Sequence, residues 1–228
     1  MSEIAMIGQI HFVLGVLCLV AGIAAFCLRK GGRLHILSGR VFAVSMLLLC
    51  ASGLYLSFTR TIVFTTFLSL FAAHAAATAW LAAVRSSGEM ARAERAFAVM
   101  IGLVGLFSLA SGYWVSISPN GELDGLPAGA FYGLGSVALL IAGLDGWAIF
   151  RGQLSRPQRI ARHLWRMGFS LFIATVIFFF GNNHVLPEAL RSEAFLVMPV
   201  LLVLIATGFW LVKTVFFSPS LRPKSASS

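Results

Sequence analysis

The sequence predicts an all-α integral membrane protein, a bundle of seven transmembrane helices, from three observations. Of its 228 residues 59% are hydrophobic and 11% are charged, where a soluble domain is about a quarter charged. A core of this size cannot hide so much apolar surface, so the bilayer must solvate much of it. The apolar residues fall into seven runs at roughly 4–28, 34–58, 62–84, 96–117, 130–150, 160–180 and 194–217. Each is close to the ~20 residues a helix needs to cross the hydrocarbon layer. The basic residues lie between the runs, which assigns the net charge of +9 to loops at a membrane surface and not to nucleic-acid binding.

Each run carries its own marks. Positive charge follows the first run instead of preceding it, so that run reads as a retained helix and not a cleaved signal. Tyr55, Trp80, Trp114, Trp147, Trp165 and Trp210 stand toward the ends of their runs, as interfacial belts require. Cys18, Cys27 and Cys50 are inside runs, odd in number and without metal-ligand spacing, and read as small apolar residues. Residues 1–217 form one domain. Residues 218–228 carry Pro, Ser and basic residues with no apolar pattern and read as a disordered cytoplasmic tail.

The loops also orient the chain. One face receives Arg29, Lys30 and Arg33, then Arg85, Arg92 and Arg95, then Arg151, Arg156, Arg159 and Arg162, then Arg222 and Lys224. The other receives only Arg60 and Arg191, with Glu3, Glu122, Asp124, Glu188 and Glu193. Positive charge marks the cytoplasmic side, so the N-terminus is outside and the C-terminus inside. A faint parallel repeat relates the first two helices to the fifth and sixth. Gly15 and Gly22 align with Ser136 and Gly143 at a constant offset of 121. Chance likeness between two Leu/Ala/Gly-rich helices gives the same pattern.

Ionisable residues inside a membrane are costly and point first to function. His35 and Arg40 open the second helix, Asp145 lies near the inner end of the fifth, and His163 and Arg166 open the sixth. Arg40 and Asp145 are each about one and a half to two turns inside their helices, so their depths match. This inner cluster predicts a meeting of helices two, five and six, with Asp145 bonded to an arginine or histidine. It reads either as a polar pocket open to the cytoplasm or as an ion pair that fixes helix packing. An outer set is His11 on the first helix and His74 in the all-small stretch of the third, with His184 in a solvated outer loop.

Neutral imidazole is a good axial ligand for haem iron. Four intramembrane histidines at two levels suggest two haems of type b. His35 and His163 would hold the inner one, with Arg40 and Arg166 on its propionates, and His11 and His74 the outer one. Zinc is the rival, held by histidines with Asp145, although no spaced zinc motif is present.

The pattern His11…Gly15…Ala21-Gly22, then Lys30-Gly31-Gly32-Arg33-Leu34-His35-x3-Gly39-Arg40 with Ser52-Gly53, resembles a family of bacterial multi-pass membrane proteins of unknown function. So do Arg162-His163-Leu164-Trp165-Arg166-Met167 and Leu186-Pro187 in the second half. The resemblance covers most of the chain and implies a multi-pass protein of a bacterial-type inner membrane, without an activity. The histidines are superficially similar to those of di-haem transmembrane cytochromes b, whose ligands lie deeper. Three function classes stay open: a haem-binding or electron-transfer protein with a redox partner, a transporter or small-ligand protein using the inner His/Arg/Asp cluster, and a non-catalytic accessory subunit.

Overall fold

The computed structural model describes residues 3–84 and 92–217. The expected disordered tail, 218–228, lies outside the described residues, as does Arg85. Seven helices among the described residues are long and apolar enough to cross a membrane. They are α1 (Glu3–Cys27), α2 (Arg33–Thr59), α3 (Val63–Val84), α4 (Arg92–Ile117), α5 (Ala128–Arg151), α6 (Arg156–Val176) and α7 (Glu193–Phe217). All-helical spans are the expected solution where no water can satisfy the backbone.

The starts and stops have local causes. Gly31, at φ 76°, turns the chain between α1 and α2, and Gly152, at φ 73°, closes α5. The α6 helix begins before its apolar run because Ser155 and Gln158 form a capping box, with a proline in the first turn. It ends in a π-helical turn, Ile177–Gly181. A short β-hairpin, β1 (Glu122–Leu123) with β2 (Leu126–Pro127), joins α4 to α5.

Packing divides the bundle into two bodies. The α1 helix lies along α2, α2 along α3, α3 along α6, and α6 returns to α1, so these four close a ring in which α2 and α6 stand diagonally. Cys18, Phe42, Met46, Phe71 and Leu171 fill its interior. The α7 helix lies against α6. The α4 and α5 helices form a tight hairpin that leans on α3, chiefly through α4.

Small residues make that hairpin tight. A Cβ on Gly135 would stand 2.9 Å from the Gly105 carbonyl oxygen, and one on Gly105 would stand 3.1 Å from the Gly135 carbonyl oxygen. The obstacle is backbone on both sides and cannot swing away. The loop end of the hairpin is tied to the ring by Asp124, whose Oδ2 accepts from the Phe64 N–H at 2.7 Å in the first turn of α3.

Gly135→Ala should therefore lower stability by about 1–3 kcal/mol, the usual effect of overpacking. Gly133→Ala, with nothing within 4 Å of its added carbon, should leave it unchanged. The thermal midpoint of the detergent-solubilised chain checks both.

Candidate functional site

The site is a buried ionic centre between the two bodies. Asp145 projects from α5, about 9 Å inside its basic end at 1.5 Å per residue, and is 1% exposed. Its Oδ2 meets His74 Nε2, from α3, at 2.9 Å. Its Oδ1 accepts from Arg162 Nη2 at 3.1 Å and from Arg166 Nη2, both from α6. Arg162 also reaches Glu94 Oε1, from α4, at 3.6 Å. His74 is fully buried and Arg166 is 1% exposed.

Elementary electrostatics explains why these groups sit together. A lone buried carboxylate or guanidinium is expensive by several kcal/mol, and only pairing with further hydrogen bonds makes it tolerable. The Asp145 carboxylate accepts three such bonds. Counted over these four groups, its formal charge and that of Glu94 offset those of Arg162 and Arg166 with His74 uncharged. Some polar atoms are left over. Arg166 Nε and Nη1, His74 Nδ1 and Ser170 Oγ are buried and have no hydrogen-bond partner among the described residues. Ser170 is one turn beyond Arg166 on α6, on the same face.

The expected inner cluster is partly rearranged. Asp145 does find arginine and histidine, but the helices that meet are α3, α4, α5 and α6. Arg40 does not join them. The α2 helix packs on α1 and α3, which leaves Arg40 exposed on the bundle's outside, where a long cationic side chain can reach the headgroups. The structure gives His11 and His74 separate hydrogen-bond partners. His11 Nδ1 meets Ser52 Oγ at 2.9 Å, while His74 is taken by Asp145. Arg166 is buried and bonds Asp145 through Nη2, whereas Arg40 is exposed.

His35 and His163 lie toward the basic ends of α2 and α6 and bond backbone carbonyls, not Asp145. His35 Nδ1 donates to the Ala25 carbonyl at 3.0 Å, and His163 Nδ1 donates to the Ala79 carbonyl at 3.0 Å. His184 is exposed, in a short 3₁₀ turn.

Glu94 and Arg162 were not singled out by sequence reasoning. A signal existed for the second: Arg159, Arg162 and Arg166 are spaced three and four apart and so share one face of α6. Glu94 sits among arginines and reads as ordinary loop charge.

No protein-family model, curated protein or solved structure matches the chain.

Asp145→Ala leaves two buried arginines with too little negative charge, and stability should fall by about 3–5 kcal/mol. Arg166→Met placed on top should restore part of that loss, because it removes an uncompensated charge. Arg40→Ala should shift stability by less than about 0.5 kcal/mol. Denaturation of the three variants in one detergent measures the differences.

Proposed function

We propose that the chain is a multi-pass protein of a bacterial-type cytoplasmic membrane that carries a small anion across the bilayer together with a proton. The observation that carries this reading is the shared Asp145 carboxylate, buried between His74 and two arginines while Arg166 keeps two nitrogens unbonded. Buried acid–histidine pairs of this kind serve as proton relays in pumps and transporters.

Charge counting gives the coupling. Counted over Asp145, Glu94, Arg162 and Arg166, with His74 uncharged, the resting charge is zero. One proton on Asp145 or His74 makes it positive by one. A carboxylate or phosphate monoanion then restores neutrality, held by charge-assisted hydrogen bonds from Arg166. Release of the proton returns Asp145 to its arginines and expels the anion. The groups come from both bodies of the bundle, α5 and α4 on one side and α3 and α6 on the other. Relative motion of the hairpin and the ring would open and close the site, as one bundle rocks against another in transporters.

The orientation that fits this reading has the N-terminus outside and the C-terminus inside, with the basic loops in the cytoplasm. Reporter fusions after Arg95 and Arg159 should report cytoplasm and one at Gly121 the outside. Reversal at two of the three contradicts that orientation.

Transport is tested in proteoliposomes with an imposed pH gradient and a panel of labelled small carboxylates and phosphate. At least one anion should enter in response to the gradient. In Asp145→Asn, which keeps the side-chain shape, the gradient should no longer drive uptake. If no anion moves, or if Asp145→Asn responds to the gradient like the wild type, the cluster serves assembly alone and the chain is better read as an accessory subunit.

A further inference from the structure

The α4 helix treats its two sides differently. One side carries Gly105 and Gly112 and presses on α5. A Cβ on Gly105 would meet Leu139 at 2.8 Å, and one on Gly112 would meet Tyr132 at 2.9 Å. The opposite side carries Ala96, Val99, Leu103 and Phe107, spaced three and four apart and so on one stripe. With Phe67 and Leu70 of α3 they line an apolar groove between the two helices. Val99, Leu103 and Phe107 are exposed. Bulky side chains, not glycines, stand between α3 and α4, and so the two helices part where α4 and α5 touch.

The length of the groove and the charge at its end bound what can lie there. From Ala96 to Phe107 the helix rises about 16 Å at 1.5 Å per residue. That is about half of the ~30 Å hydrocarbon layer, the depth of one leaflet. Arg92 lies one turn before Ala96 on the same stripe, with Arg95 on its flank, and both are exposed. Glu94, the acid of this first turn, is 3% exposed and is turned to Arg162. The basic end of the groove thus offers positive charge while its neighbouring carboxylate faces away. We propose that the groove holds one acyl chain of an anionic phospholipid, with Arg92 and Arg95 on the headgroup phosphate. A transmembrane helix, from a partner or a second copy, is the rival occupant. It would cross the whole layer and not half of it, and close helix approach needs small residues, which α4 places on its other side. A zwitterionic lipid would bring an ammonium group to the same two arginines, with Glu94 turned away from it.

The test uses the full chain in detergent, incubated with equal amounts of phosphatidylglycerol and phosphatidylcholine of the same acyl chains. Native mass spectrometry reads the lipid retained. One phosphatidylglycerol per chain should be held, in preference to phosphatidylcholine by about 10-fold or more, since each basic residue near a membrane surface adds to the attraction for anionic lipid. Arg92→Gln combined with Arg95→Gln should bring the two lipids to parity. Arg29→Gln combined with Arg33→Gln removes the same charge from the turn between α1 and α2 and should leave the preference intact. Leu103→Trp fills the groove and should lose the retained lipid, whereas Leu140→Trp, at an exposed site on α5, should keep it. Circular dichroism and the lipid-free thermal midpoint show whether each variant folds, and Ala96→Phe, at the basic end of the groove, takes the place of Leu103→Trp if that variant does not. The proposal is overturned if the parent holds the two lipids equally, if the chain without Arg92 and Arg95 keeps the preference, or if a folded groove-filling variant retains lipid like the parent. A groove-filling substitution that instead turns a dimer into a monomer assigns the groove to a second copy and also overturns it. The proposal does not rest on transport: Asp145→Asn should keep the lipid preference.

Discussion

The Asp145 carboxylate is the constraint on which the meeting of α3, α4, α5 and α6 depends. It lies on one helix and accepts hydrogen bonds from two others, α3 through His74 and α6 through Arg162 and Arg166. Through Arg162 the network extends to Glu94 on α4. In a bilayer the helices gain little from burying apolar side chains against one another, since lipid is equally apolar. Polar contacts and close packing must therefore decide which helices associate. The hairpin of α4 and α5 shows both: glycine-mediated backbone contact within it, and carboxylates that fasten it to the ring.

Those carboxylates are spaced to act as two attachments. Asp124 holds the loop end of the hairpin to the first turn of α3, and Asp145 holds the other half. Between them α3 and α4 part, leaving an open apolar groove of 550 Å³ lined by Phe67, Leu70, Met100 and Leu103, among others. The surface between the two bodies is thus thinly packed and held by a few strong polar contacts. A protonation event at one of those contacts changes the attachment of a whole hairpin, whereas the same event inside a densely packed interface would be absorbed locally.

The seven spans were legible in the sequence because each is a long apolar run bounded by charge or glycine, and the bilayer leaves the backbone no alternative. Departures were local. The sixth run reads as starting at residue 160, but α6 begins at Arg156 because a capping box can start a helix on polar residues. Asp145, Arg166 and the histidines were visible as ionisable residues out of place. What the sequence could not show was partnership. Arg40 and Arg166 have similar contexts, each a few residues past a histidine, yet one faces outward and the other is buried against Asp145. The difference lies in which neighbours α2 and α6 acquire, a tertiary fact with no local signature. For the same reason His74 could be recognised as a histidine able to bond across the bundle, while its bond to Asp145, 71 positions away, could not be read from spacing.

The account stands on Asp145 being an ionised base shared by two arginines at rest. Its state can be read from the infrared difference between the wild type and Asp145→Asn in membranes at neutral pH. The account predicts carboxylate stretching bands that vanish in the variant, with no protonated carbonyl band. A protonated carbonyl band assigned to Asp145 would leave Arg162 and Arg166 short of negative charge, and would contradict both the charge count at rest and the proton coupling built on it.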